Sequence, residues 1–221
     1  MTIRHTLQTT IVATSIALGC VALPVAASAA PARPAAAPAY AVTGADGLAG
    51  YANKALDHWT DYAQTGRASA LTEFDALRDA VAAAAADRLG LDAATMQAAW
   101  RTADSSHQVA LMAAFTQLGT PYRRNTSKPG VGFDCSGLTT WAWAQAGVTL
   151  PRQSRSQINN AVKLTRETAQ AGDLVYYPGH VMLYLGMDNA MIHAPFPGRT
   201  VEVDFVSKNK GKSLRFGNPV G

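Results

Sequence analysis

Cys135, His180 and His193 are the residues of this chain whose types and placement could do covalent chemistry. Cys135 stands in Phe133-Asp134-Cys135-Ser136-Gly137-Leu138, ahead of the apolar run Thr139-Thr140-Trp141-Ala142-Trp143-Ala144. The stretch reads as a loop ending at a helix start, with Asp134 or Ser136 as cap and Gly147 as the stop. A thiol there meets the positive end of the helix dipole. An ordinary cysteine, with a pKa of about 8.5, is only ~3 % thiolate at neutral pH, and lowering that pKa to about 6.5 makes it mostly thiolate. Such a lowered thiol is a nucleophile; the plainer alternative is a small buried core residue.

The histidines lie in a region of period-two apolar alternation. Asp173-Leu174-Val175-Tyr176-Tyr177 reads as a strand, followed by Gly179-His180-Val181-Met182-Leu183-Tyr184-Leu185-Gly186, a turn at Met187-Asp188-Asn189, and a return through Met191-Ile192-His193-Ala194. Pairing Gly186 with Asn189 puts Tyr184 opposite Met191 and Met182 opposite His193. His193 is then a diagonal neighbour of His180, within side-chain reach. A slip of one residue would separate them. Val181, Leu183, Leu185 and Ile192 fall on the other, core-facing side. Val201 to Phe205 alternates as a further strand, and Leu214-Arg215-Phe216 as a last short one. A cysteine at a helix start with two histidines on one strand face suits a nucleophile, a base (His180) and an orienting group (His193). With no Asp or Glu at obvious spacing, a metal site is the weaker reading, and no cofactor is expected.

Residues 1–29 read as a secretory signal. Arg4 is followed by the uncharged stretch Ile11 to Val25 and by Ala27-Ser28-Ala29 as cleavage pattern. Pro24 cuts the apolar run too short for a membrane anchor. Ala17-Leu18-Gly19 before Cys20 and apolar residues after it fit a lipoprotein signal poorly. Removal of Cys20, the other of two cysteines, leaves Cys135 without an internal disulfide partner, hence a reactive thiol or an intermolecular one, and excludes a cysteine-based zinc site. The expected address is the cell wall or periplasmic space, with no membrane span after cleavage.

Residues 30–43 form an Ala/Pro-rich leader that cannot bury a core. Residues 44–104 read helical: Leu48, Tyr51, Ala55, Trp59 and Tyr62 form one stripe ended by Gly66, and Leu71, Phe74, Leu77, Val81 and Leu89 a second ended by Gly90. A third helix capped by Asp92 carries Met96 and Trp100, and a fourth starts near Ser105. His58 and His107 have no partner at ligand spacing and read as surface or packing residues. Residues 44–104 carry five Lys/Arg against nine acids, a net −4; residues 105–221 carry twelve against six, a net +6. That split predicts an acidic helical region that docks on a basic catalytic one and restrains it, through apolar residues such as Trp59, Phe74 and Trp100, because exposed ion pairs contribute little; an independent spacer or partner-binding module is the alternative. The basic residues lack the stacking aromatics or helical stripe of nucleic-acid readers, so the expected anionic partner is cell wall.

Gly119-Thr120-Pro121-Tyr122, Phe133-Asp134-Cys135-Ser136-Gly137-Leu138, Leu150-Pro151-Arg152-Gln153-Ser154, Gly172-Asp173-Leu174-Val175, Gly179-His180-Val181 and Ile192-His193-Ala194 occur in this order. In these motifs, residues of about 105–221 resemble the NlpC family of bacterial cell-wall cysteine peptidases. The resemblance implies an α+β, papain-like catalytic domain, a Cys135-bearing helix packed on an antiparallel sheet bearing His180 and His193. It implies Cys135 as nucleophile, His180 as base and His193 as the third polar residue. It also implies Tyr122, Asp134 and Ser136 beside the thiol in the substrate pocket, and Arg152 with Ser154 near a substrate carboxylate. The implied substrate is the peptidoglycan stem peptide, cut between D-glutamate and diaminopimelate. An amidase or acyltransferase on the same constellation, and a non-hydrolytic wall-binding protein, are the alternatives. Arg123-Arg124-Asn125-Thr126-Ser127-Lys128-Pro129-Gly130 departs from the family pattern in being longer and more basic, and it bears on the shape of the cleft rim.

Overall fold

Helix boundaries fall where short polar side chains can cap free amides and where glycine can turn left-handed. The computed structural model describes residues 44–207 and 213–220. The proposed signal, leader and Cys20 lie outside these residues. Helix α1 (Gly47–Thr65) starts at Asp46, whose carboxylate accepts from the Leu48 N–H, and ends at Gly66 with φ of 70°. Helix α2 (Ala68–Leu89) ends the same way at Gly90, and α3 (Ala93–Thr102) is capped by Asp92 accepting from Thr95 N–H. Helix α4 (Ser105–Thr116) is buried along most of its length. A short hairpin, β1 (Ser127–Lys128) and β2 (Gly132–Phe133), leads into α5 (Cys135–Gln145). After α6 (Ser154–Asn160) the remaining chain is strands: β3 (Val162–Leu164), β4 (Leu174–Tyr177), β5 (His180–Tyr184), β6 (Ala190–His193), β7 (Glu202–Phe205) and β8 (Arg215–Asn218).

The six strands form one antiparallel sheet in the order β3-β8-β4-β5-β6-β7. Tyr184 lies opposite Met191 and Leu183 opposite Ile192, the register in which the two histidines share a face. Val181, Leu183, Leu185 and Ile192 point into the main core with α4 and α5, while Met182, Tyr184 and Met191 join Val175 and Phe216 in a smaller cluster on the opposite face. The α+β arrangement expected from the sequence, a cysteine-bearing helix packed on an antiparallel sheet that carries both histidines, is therefore the one observed.

One buried core runs from Ala49 and Leu56 through Phe74, Trp100 and Phe115 to Leu138 and Val201, across the boundary the sequence suggests near residue 104. Trp100 joins the two sides. It is fully buried, its indole N–H donates to the Leu185 carbonyl oxygen at 2.9 Å, and its ring meets Phe115 edge-on at 5.2 Å. Trp59 and Phe74 instead pack on each other, 5.1 Å apart, between α1 and α2. Among the described residues, ion pairs of the acidic helices stay within them, as Arg88–Asp46 and Arg101–Asp79 do. Apolar burial, not the opposite net charges, holds the helices on the sheet.

Trp100→Ala should therefore lower the unfolding free energy by about 3–5 kcal/mol, the usual cost of emptying a buried Trp site. Urea unfolding checks this; a loss under about 1 kcal/mol would show that α3 is not part of the cooperative core.

Candidate active site

Cys135 is the first residue of α5, and its position is fixed by the residues on both sides. Asp134 accepts from the Gly137 N–H at 2.7 Å, closing the N-terminal turn. A Cβ at Gly137 would fall 2.1 Å from the Thr126 carbonyl oxygen, so the approach of the loop to α5 requires glycine. Arg152 ties the next loop to the same point: its guanidinium donates to Asp134 Oδ2 at 2.7 Å and to Ser136 Oγ at 2.8 Å. Gln157, buried on α6, donates to the Ser136 and Pro151 carbonyl oxygens and accepts from Thr139, locking α6 against α5. No periodicity in the sequence singles out Gln157, because its partners are distant in the chain.

Helix α5 packs on β5. The thiol lies against the backbone N–H of Val181, the residue that follows His180. His180 and His193 are 6 % and 7 % exposed, and His180 Nε2 lies 2.8 Å from His193 Nδ1 with the rings nearly perpendicular. The pair is thus a linear hydrogen-bonded unit that leaves His180 Nδ1 free. The far nitrogen, His193 Nε2, is buried without a hydrogen-bond partner among the described residues and lies 3.5 Å from Glu202 Oε1. Glu202 pairs with His193 across the β6–β7 ladder and is held by Arg199 through both carboxylate oxygens, at 2.5 and 3.1 Å. Its role as a neighbour of His193 is visible only once the strands are registered. His193, Glu202 and Asp204 also bring one ligand-type atom each within 4.8 Å of one another, but Arg199 already neutralises Glu202.

The electrostatics differ from the sequence expectation at the thiol. Burial pushes the Cys135 pKa up, and the Asp134 carboxylate adds to that; the Val181 and Ser136 amides pull it down by less. Burial likewise pulls His180 down to about 4 and His193 to about 3, the latter helped by the positive charge that His180 and Arg199 would place beside it. Loss of water thus outweighs the helix N-terminus, and the resting site holds a neutral thiol beside neutral imidazoles. Tyr122 flanks the thiol, and burial with the Cys135 and Asp134 charges raises its pKa, which keeps the phenol a proton donor.

Tyr122, Asp134, Ser136, Arg152 and Ser154 all line a cleft of about 640 Å³ that contains Cys135. Arg152 and Asp134 are, however, committed to each other there. Arg124 and Asn125, from the segment the sequence ties to the cleft rim, complete the lining with Gln153, Arg155 and Gly179, which the sequence did not single out for it. His107 is a packing residue: fully buried, it meets Asp173 Oδ1 at 3.0 Å and Trp143 edge-on, pinning α4 to the turn before β4.

A half-buried thiol at a helix start, facing a sheet that presents a hydrogen-bonded histidine pair, is the constellation of a cysteine hydrolase. Residues 119–215 match the model of the NlpC/P60 family. Over 107 residues the chain is 41 % identical to a probable endopeptidase of Corynebacterium glutamicum, covering 47 % of this chain and 49 % of the relative. It is 39 % identical over 88 residues to a bifunctional muramidase/DL-endopeptidase of Bacillus subtilis, covering 36 % of this chain and 27 % of that one. It is 41 % identical over 95 residues to a gamma-D-glutamyl-L-lysine dipeptidyl-peptidase of Bacillus cereus, covering 39 % and 28 %. The chain thus spans about half of the first relative and about a quarter of the other two. No helix among the described residues is long and apolar enough to cross a membrane.

The lowered histidines make stability depend on pH. In the unfolded chain both imidazoles take up protons near 6.5, whereas the folded ones resist until about 4 and about 3. The unfolded state therefore binds more protons in that interval, so this contribution is complete above pH 6.5 and is lost as pH falls. Each imidazole forfeits about 1.4 kcal/mol for every pH unit crossed within its interval. The urea midpoint should drop between pH 7 and pH 5, and His180→Asn/His193→Asn should flatten that drop. An equal slope in the double variant would contradict the assignment.

Proposed function

We propose that the chain is an exported peptidoglycan hydrolase that cuts stem peptides, at the D-glutamyl–diaminopimelate bond, with Cys135 as nucleophile, His180 as base and His193 as orienter. The observation that carries this reading is the 2.8 Å His180–His193 bond together with a half-buried cysteine in an open cleft. The names of the relatives, a DL-endopeptidase and a γ-D-glutamyl peptidase among them, support the substrate class and the neighbourhood of the bond.

The proposed roles assign the tautomers. His180 carries its proton on Nε2 and donates it to His193 Nδ1, which leaves His180 Nδ1 to accept the thiol proton as sulfur attacks the carbonyl. His193 then carries its proton on Nε2, facing Glu202. The oxyanion is held by the Cys135 N–H and the Tyr122 phenol. His180 returns the proton to the departing amine, and water then hydrolyses the thioester. Because thiol and imidazole start neutral, proton transfer accompanies attack.

Incubating the purified protein with diaminopimelate-type muropeptides and identifying products by mass tests the reading. A cut after D-glutamate supports it; another bond favours an amidase or acyltransferase, and binding without a product favours a wall-binding protein. Cys135→Ser should abolish the cut with the fold intact, and more than a few per cent residual activity would unseat the nucleophile. His180→Ala should cost about 10²–10⁴-fold. His193→Asn, which keeps a hydrogen-bonding group near the Nδ1 position, should be milder than His193→Ala; equal losses would deny His193 an orienting role.

A further inference from the structure

The cleft has more positive charge than the mechanism uses. Its lining contains three guanidinium groups, Arg124, Arg152 and Arg155, and one carboxylate, Asp134. Arg152 is spent: it pairs with Asp134 at 2.7 Å and also donates to Ser136. Arg124 and Arg155 form no ion pair among the described residues and stand exposed at the rim.

Their backbones are nevertheless held. Next to Arg124, the Tyr122 N–H donates to the Arg199 carbonyl oxygen and the Arg123 N–H to that of Phe133, at 2.8 and 2.9 Å. On the other side Thr126 Oγ1 donates to the Arg124 carbonyl oxygen at 3.0 Å, around Asn125 in its left-handed conformation at φ 55°. Arg155 stands in the first turn of α6, which Gln157 fastens to α5. Two uncompensated guanidiniums on fixed backbone beside the thiol form a receptor for anions, and guanidinium matches a carboxylate in planar, two-pronged geometry.

We propose that Arg124 and Arg155 bind free carboxylates of the substrate flanking the scissile bond, so that the protein selects acidic stem peptides over those whose carboxylates are amidated. This rests on the hydrolase reading above and assigns a use to the basic segment 123–130, which lies at the cleft rim. Amidation removes the charge while keeping size and shape, so discrimination reports the guanidiniums rather than steric fit. Losing a charge-assisted hydrogen bond is expected to weaken binding roughly tenfold or more.

The test measures binding to the full chain carrying Cys135→Ala, by calorimetry, so that no turnover is needed. The probes are a synthetic L-alanyl-D-glutamyl-diaminopimelate stem, the same peptide amidated on the glutamyl α-carboxyl, and the same peptide amidated on the diaminopimelyl carboxyl. Weaker binding of at least one amidated form, by about tenfold, is expected. Arg124→Gln/Arg155→Gln should lose that preference, while Lys163→Gln, exposed on β3 away from the cleft, should keep it. Equal affinity for all three peptides, or a preference that survives the double variant, would overturn the proposal. A preference in the binding assay combined with no cleavage by the unaltered protein would sink the hydrolase reading and leave the carboxylate site standing.

Discussion

Because α5 packs on β5 and the β5–β6 hairpin brings His193 behind His180, three ionisable side chains lose much of their water together. Each then resists carrying charge: the thiol is pushed up and both imidazoles are pulled down. A site built this way stores its reactivity as readiness to transfer a proton rather than as a standing thiolate. The 2.8 Å bond between the histidines matters in that setting because it fixes which nitrogen is free, a choice that water would otherwise leave open. Glu202, itself neutralised by Arg199, stands at the far end of the pair, 3.5 Å from His193 Nε2.

The remainder of the fold keeps that arrangement dry and aligned. Helices α1 to α3 carry no member of the site, yet Trp100 reaches from α3 to the Leu185 carbonyl oxygen just beyond the end of β5, the strand that begins with His180. His107 and Asp173 fasten α4, which packs on α5, to the start of β4. On the cleft side, Asp134 caps α5, pairs with Arg152 and so links two loops to the helix that bears Cys135. The acidic and basic halves of the chain are joined by buried apolar surface, which is insensitive to salt. Their opposite charges are left for solvent, and at the cleft for ligand.

Much of this was legible in residue order because it is local. Asp46, Asp92 and Asp134 cap the helices that follow them, and Gly66 and Gly90 end theirs, since capping and left-handed turns depend on neighbours a few residues away. The β5–β6 register was legible for a similar reason: alternation fixes which residues share a face, and the short turn fixes the offset. What was not legible is non-local. Strand β3 pairs with β8 across more than fifty residues, Gln157 gathers partners from two separate segments, and Glu202 meets His193 only through the β6–β7 ladder. The direction in which the thiol pKa moves belongs to the same class. The helix start that would lower it is written in the sequence, whereas the burial that raises it is supplied by strands some forty residues later. Arg155 joins Arg124 in the cleft lining only once α6 is placed against α5.

The central claim is that water exclusion keeps the Cys135–His180 pair uncharged at rest. The rate of Cys135 alkylation by iodoacetamide, followed from pH 4 to pH 10 in the full chain, tests it most directly, because only thiolate reacts at an appreciable rate. The account predicts slow alkylation through neutral pH and a single rise on the alkaline side, above the ordinary cysteine range. A plateau of fast alkylation already present between pH 5 and pH 7 would mean a standing thiolate–imidazolium pair and would contradict it.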